Sequence, residues 1–484
     1  MNEPIRRLST LAAALFVALL VASTWLQVIG AESINERPDN RRTALKNYAQ
    51  ERGQILIDGQ PLARSEPSDD ELRWQRVYSD PELYAHLTGY YSFEYGAGGG
   101  LEGAANSLLT GTDDRLFYGR VSDILSGKRP VGASLELTIN PRAQRAAREA
   151  LGDQQGAVVA LDPRTGAILA MYSSPSYDPS PLVSHKSGDA AKAWERLTSD
   201  PTRPMVNRAI AGNLYPPGSV FKVVTAAAAI ESGDFDEDSS IPGPARLDLP
   251  QTTSDLPNSS PGPCGPNDRV TLRIAMQNSC NTAFGWLGME LGGDAVADQA
   301  EKFGFGDKLE IPMSVTPSIF PADLNPPQEA QSAIGQYEVR TTPLQVAMMS
   351  AGVANDGIVM RPYLVERVQG DDLSVISETQ PEQLSRAVEP DTAAQLTDMM
   401  TAVVESGTGR QAAVPGVSVA GKTGTAQHAA GAAPHAWFTG FAPADNPEVV
   451  VAVVVEDGGR AGSEAYGGSV AGPISAAVMR AVLE

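Results

Sequence analysis

Cysteine, histidine and aromatic residues are all scarce in this chain of 484 residues, which holds two cysteines, four histidines and 6% Phe, Trp and Tyr together. His86, His185, His428 and His435 have no metal-motif spacing, and two cysteines cannot build a four-thiolate zinc site. No metal and no cofactor is therefore expected. Positive charge is also short, with 37 Lys and Arg against 58 Asp and Glu and a formal net charge of −21. A nucleic-acid partner needs basic patches to neutralise phosphates, so that class is excluded. The acidic excess reads as a solvated surface that keeps the protein soluble. Anionic lipid would repel such a surface, so any membrane attachment has to come from an anchor. No repeat of fixed period is present.

One long apolar run is present. Arg6 and Arg7 precede a stretch from Leu8 to Ala31 without a charged residue, and its centre, Leu11 to Ala22, is wholly apolar. That length suffices for a helix across a bilayer core. The arginines place residues 1–7 in the cytoplasm and everything after Glu32 outside, and Trp25 falls where an interfacial aromatic belongs. A cleaved signal peptide is the rival, and Ala22 could serve a peptidase, but signal cores are shorter. Export also bears on the cysteines. Outside the cytoplasm Cys264 and Cys280 are expected to pair rather than stay as two separately buried thiols. A loop of that length is worth about 3 kcal/mol in the chain-entropy picture.

Residues 32–135 differ in texture from the remainder. Arg52 to Gly59 alternates and then turns at Asp58-Gly59, a strand-and-turn signal, and Gly98-Gly99-Gly100 marks a tight, mobile turn. This reads as a small α+β module without a catalytic constellation. From Ser134 onward a strand over Leu135 to Ile139 leads to Pro141 and a helix over 142–151. Runs at 156–161 and 167–171 flank Asp162-Pro163-Arg164-Thr165-Gly166, a hairpin. Strand patterns return at 417–427, 435–441 and 449–455. Two early and three late strands with helices between them predict one antiparallel five-stranded sheet fed from both ends of the domain. The Pro/Ser/Gly-rich stretch 241–266 reads as a long loop bordering a site.

Three short strings carry the chemistry. Pro216-Pro217-Gly218 stops the preceding chain, and Ser219 then heads an apolar helix from Val220 to Ile230. Ser219 and Lys222 are three apart and share a face. A serine hydroxyl needs a base before it attacks, and a desolvated lysine near other cations loses its proton readily enough to be that base. The bland alternative is a helix cap followed by a snorkelling lysine. Ser279-Cys280-Asn281 offers a hydroxyl to relay a proton and an amide to hold a peptide bond. The same pattern at Ser33-Ile34-Asn35 has no such context. Lys422-Thr423-Gly424-Thr425 lies on a strand pattern, with a charge and hydroxyls for a carboxylate and a glycine where a substrate backbone can approach. Alone it could equally be an edge strand that happens to hold Lys and Gly. His428 and His435 flank this string, but no acid is evident beside either, and both read as structural.

In this order the strings are the signature of class A β-lactamases and penicillin-binding proteins. The chain resembles a class B penicillin-binding protein, a peptidoglycan D,D-transpeptidase of the short-pedestal actinobacterial penicillin-binding protein A type. The resemblance also covers Leu101-Glu102-Gly103, Leu137-Thr138-Ile139, Tyr215 to Gly218, Ala333 to Gln336, Thr342 to Gln345, Gly407-Thr408-Gly409 and His435 to Phe438. Two departures stand out. Cys280 replaces the usual Asp, and Arg52-Gly53 lacks the family's following Asp-Arg pair.

The resemblance implies an α+β chain: cytoplasmic tail 1–7, membrane helix 8–31, pedestal 32–135 and transpeptidase domain 136–484 of serine β-lactamase-like fold. It implies Ser219 as nucleophile, Lys222 as base and Ser279 as proton relay. Asn281 would bind the acyl-side amide, and the N–H groups of Ser219 and Thr425 would form an oxyanion hole. Lys422, Thr423, Gly424 and Thr425 would bind the substrate, a stem peptide ending in D-Ala-D-Ala. β-Lactams would trap Ser219, and the implied membrane partner is a SEDS-type glycan polymerase. A β-lactamase is disfavoured, because the family's Glu-x-x-Leu-Asn string is missing and Leu324-Asn325 has Pro321 in the glutamate position. A D,D-carboxypeptidase and a non-catalytic β-lactam-binding scaffold remain as alternatives.

Overall fold

The apolar run forms a helix, Asn2–Thr24, that continues as a π-turn over Trp25–Ile29. Residues Glu3–Gln27 are long and apolar enough to cross a membrane by length and composition. Ser9 and Thr10 return their hydroxyls to the carbonyls of Ile5 and Arg6 at 2.9 and 2.8 Å, so neither leaves a free polar group on the apolar surface. The structure, a computed structural model, describes residues 2–29, 48–117, 119, 131–212, 214–429 and 431–484. The last two residues of the expected span, Gly30 and Ala31, and 32–47, 118 and 120–130 of the expected pedestal lie outside the described residues.

Asp58 and Gly59, with φ of 50° and 69°, make the left-handed corner of a hairpin between strands Ile55–Ile57 and Gln60–Pro67. These belong to a six-stranded sheet ordered 375–378, 365–369, 134–137, 55–57, 60–67 and 74–78. The strand expected to open the second region, Ser134–Leu137, therefore sits in this sheet. It pairs in parallel with 55–57 on one side and antiparallel with 365–369 on the other. Beneath the sheet, Glu102 accepts from Arg52 Nε and Arg76 Nε, each at 2.6 Å, with all three side chains buried. Burial alone would raise the Glu102 pKa. The two guanidiniums, Arg76 ahead of Arg52, outweigh that and hold it below the ordinary carboxylate value. Gly98, Gly99 and Gly100 are closely packed rather than an open turn. A Cβ on Gly100 would lie 2.4 Å from the Gly89 nitrogen, and one on Gly98 would lie 2.3 Å from the Tyr90 hydroxyl.

The second sheet is fully antiparallel, in the order 420–426, 435–442, 449–455, 156–161 and 168–174. Its two early and three late strands are those the sequence pattern predicts. Val449–Val455 is a continuous buried apolar run, as a mid-sheet strand covered on both faces should be. Helices Pro141–Leu151, Pro343–Ala354 and Gly467–Leu483 pack against this sheet. Strand 420–426 is its edge. The stretch 241–266 is more ordered than a loop: 240–242 pairs with 269–271, and 246–248 with 255–257.

Candidate active site

The nucleophile string opens on a 3-10 turn, Gly218–Phe221, and the α-helix proper is Lys222–Glu231. In a 3-10 turn residues three apart are eclipsed, so Ser219 and Lys222 share one face at the head of the helix, as the spacing in the sequence predicts. Several contacts fix that turn. Gly218, at φ 56°, donates its N–H to Gly335 O at 2.9 Å, and a Cβ on Gly335 would lie 2.1 Å from Gly218 O. Trp437 Nε1 donates to Pro216 O at 3.1 Å. A Cβ on Gly218 would lie 2.9 Å from Thr425 O, so the turn rests directly on the edge strand.

Gly424 serves the same contact. A Cβ there would meet Pro217 O at 3.0 Å and Val220 Cγ1 at 3.1 Å. On this face of the sheet the space above Gly424 is taken by the nucleophile turn, while strand 420–426 keeps its free edge.

Ser219 is half-buried, and Lys222 is fully buried. Lys222 Nζ donates to Asn281 Oδ1 at 2.7 Å, to Ser279 O at 2.8 Å and, more weakly, to Ser279 Oγ at 3.3 Å. Burial, and then the neighbouring Lys422, push its pKa well below the ordinary lysine value. A neutral amine keeps two N–H groups, enough for the two short bonds, and has one lone pair left to accept a proton. From the other side Lys422 Nζ donates to Ser279 Oγ at 2.9 Å and to Thr423 O at 3.0 Å. Burial brings the Lys422 pKa to about 7. Ser279 Oγ is thus held between two desolvated lysines.

Ser279 can present both its carbonyl and its hydroxyl because it adopts φ 57°, unusual for a non-glycine residue. Helix Leu272–Gln277 leads into it, and Cys280 N–H returns to Ala275 O at 2.8 Å. Cys280 is joined to Cys264 in a disulfide, with Cα atoms 6.1 Å apart. Asn258 adds to the clamp by accepting the Thr282 N–H at 3.1 Å, and Asn281 Nδ2 donates to Pro257 O at 3.3 Å.

Thr423 Oγ1 lies 2.7 Å from Thr408 Oγ1, and Thr425 is half-buried. Thr408 is a residue that site reasoning from the sequence passes over. Its signal is the Gly-Thr-Gly string itself. A Cβ on Gly407 would lie 2.3 Å from Gln277 O, and the Thr408 N–H donates to that oxygen at 3.2 Å, tying the second string to the third.

An acid does accompany the histidines, contrary to the reading from sequence. Asp457 Oδ1 is 3.1 Å from His428 Nε2 and 3.8 Å from His435 Nδ1. Asp457 is invisible in the local sequence because the pairing of strands 435–442 and 449–455 brings it there.

Residues 156–480 match the penicillin binding protein transpeptidase domain, and residues 52–135 match the penicillin binding protein A dimerisation domain. The peptidoglycan D,D-transpeptidase PbpA of Mycolicibacterium smegmatis is 45% identical over all of this chain and 99% of its own length. The peptidoglycan D,D-transpeptidase MrdA of Acinetobacter baumannii is 30% identical over 82% of this chain and 65% of its own. Penicillin-binding protein A of Mycobacterium tuberculosis, solved as a ceftriaxone acyl-enzyme complex, superposes with a TM-score of 0.87 at 44% identity. That match covers 91% of this chain and 100% of the solved one. The chain belongs to the penicillin-binding protein transpeptidases, among those of the penicillin-binding protein A type.

Proposed function

We propose that the protein is a peptidoglycan D,D-transpeptidase working through an acyl-enzyme on Ser219. The observation that carries this reading is the Ser279 hydroxyl between two buried lysines, one of which, Lys222, follows Ser219 by one turn. Lys222, neutral while bonded to Ser279 O and Asn281, takes the Ser219 proton as Oγ attacks the carbonyl of the penultimate D-Ala. The N–H groups of Ser219 and Thr425 receive the oxyanion, a role supported by the packing of Gly218 on Thr425. Ser279 delivers a proton to the leaving D-Ala amine and draws on either lysine to replace it. Asn281 Nδ2 binds the acyl-side amide. Thr423 and Thr425 accept the terminal carboxylate, and Lys422 contributes its field from within the strand. The amine of a second stem peptide then attacks the ester, forms the crosslink and frees Ser219.

β-Lactams, which imitate the D-Ala-D-Ala end, acylate the same oxygen. Hydrolytic release is disfavoured at one specific place. Leu324-Asn325, the only candidate for the lactamase string, is a helix cap, with the Asn325 side chain accepting from Gln328 N in a capping box.

Residues 1–7 lie in the cytoplasm, the apolar helix spans the membrane and the remainder is extracytoplasmic, as Arg6 and Arg7 favour. Residues 32–135 form a pedestal and 136–484 the transpeptidase domain, and the partner in the membrane is a SEDS-type glycan polymerase. The test uses the full chain in detergent with a donor peptide ending in D-Ala-D-Ala and an acceptor amine. D-Ala release with a crosslinked product, both absent in Ser219→Ala, is the expected result. Release with only hydrolysed donor assigns a D,D-carboxypeptidase instead. No release from a folded wild type leaves the scaffold reading.

A further inference from the structure

His428, His435 and Asp457 take no part in the acyl-transfer network, yet their potential ligand atoms all lie within 4.8 Å of one another. Each is brought there by a separate piece of chain. His435 opens strand His435–Ala442 and pairs with Ala426, one residue past Thr425. His428 lies two residues beyond the end of the edge strand. Asp457 follows strand Val449–Val455 on a left-handed corner, with φ of 50°, 67° and 53° at Asp457, Gly458 and Gly459. That corner turns its carboxylate back onto the imidazoles.

The two rings stack at 4.0 Å with 8° between their planes. A surface ion pair between His428 and Asp457 accounts for one ring only, and exposed pairs of that kind contribute little. His435 is the informative partner. It is buried, and its ring accepts the Asp457 backbone N–H at Nδ1 at 3.1 Å. It is therefore a neutral imidazole with a lone pair on the Asp457 side, the form in which histidine binds metals. Tyr215 packs edge-on against it at 5.5 Å, and the adjacent Glu456 is anchored by Tyr215 Oη at 2.6 Å and Arg208 Nε at 2.9 Å. The His435 ring is thus held in place by its packing, with its Nδ1 lone pair turned toward Asp457. The other two are more open, the Asp457 side chain being 64% exposed and that of His428 27%.

We propose that His428, His435 and Asp457 bind one divalent transition-metal ion of the zinc class. Two imidazoles and a carboxylate are a zinc donor set with a fourth position open to water. Parallel rings do not aim their lone pairs at one point. Binding turns the His428 ring out of the stack and replaces the N–H contact at His435 with the metal. The exposed side of the cluster is the entry path.

The test is a Co2+ titration of the chelator-stripped full chain in detergent, followed by visible absorption and then by displacement with Zn2+. A saturable spectrum at one Co2+ per chain, displaced by Zn2+, is expected. Loss of one ligand in His428→Ala or in Asp457→Asn should weaken binding at least about tenfold. His185→Ala, which removes a histidine paired with Asp70 elsewhere, should leave it unchanged. Absence of a saturable spectrum in wild type, or equal affinity in both site variants, overturns the proposal. Thermal unfolding of each variant verifies the fold, and His428→Gln replaces any variant that fails it. A chain that binds Co2+ but takes up no penicillin argues against the acyl-transfer reading and leaves this site intact.

Discussion

In the proposed mechanism Lys222 and Lys422 carry the chemistry of the site through their desolvation. A base must be neutral to act, and burial, then the neighbouring Lys422, push the Lys222 pKa well below its ordinary value, which favours the neutral amine. Acylation by a penicillin should therefore fall as pH drops through the Lys222 pKa. Lys222→Arg, which cannot lose its proton, should slow acylation by about a hundredfold or more in stopped-flow measurements. Lys422 gives a stability signature. Its pKa is about 7 when folded against an ordinary 10.5, so between those values the unfolded chain binds the extra proton. Stability linked to this residue accordingly rises with pH from about 7 to about 10. The melting temperature of wild type minus that of Lys422→Met should rise over that interval, and a constant difference would contradict the assignment. Ser219, Lys222 and Ser279 stand out in the sequence because residue type and spacing suggest their chemistry, and the fold brings Lys222 and Ser279 together. The depressed lysines were legible only in part, since burial of Lys422 depends on strands far away in sequence. Thr408 and Asp457 were not legible as site residues, because each meets its partner only through the fold.

At the scale of elements, the segment around Ser279 is the one most dependent on its surroundings. It combines a left-handed backbone with a disulfide to a surface loop, and Asn258 adds a further clamp. Replacing both cysteines by serine removes the link without touching Lys222 or Lys422. Unfolding should stay cooperative, with a loss of about 3 kcal/mol at most, while acylation slows about ten- to a hundredfold through misplacement of Ser279 and Asn281. An unchanged acylation rate would show that the bridge serves the fold alone. The five strands of the second sheet were readable from alternation and apolar runs. The stretch 241–266 was harder, because its strands are three residues long and rich in proline, too short to establish a period. The 3-10 start of the nucleophile helix was likewise hidden. It arises from the contact of Gly218 with Thr425 and Gly335, and local propensity does not register such contacts.

Across the whole molecule, the six-stranded sheet joins early and late chain. Strand 134–137 lies between a strand from the first hundred residues and one from beyond residue 360. Texture along the sequence separates a pedestal from the rest but gives no sign of this shared sheet, because pairing between distant strands leaves no local pattern. Beneath it, two buried arginines share the single carboxylate of Glu102. Glu102→Gln leaves both guanidiniums without their carboxylate, and breaking a buried pair in this way costs about 3–5 kcal/mol. Chemical denaturation should register that loss although Glu102 touches none of the lysines of the site. A variant as stable as wild type would mean that the triad is not structural.

The central claim, an acyl-enzyme on Ser219 that water does not readily release, is tested most directly by fluorescent penicillin. Full-length wild type and Ser219→Ala are incubated with the label, chased with unlabelled drug and mapped by mass spectrometry. The account expects one label per wild-type chain, on the peptide containing Ser219 and retained through the chase, with none on the variant. No uptake by wild type, uptake that survives Ser219→Ala, or release within seconds would contradict it.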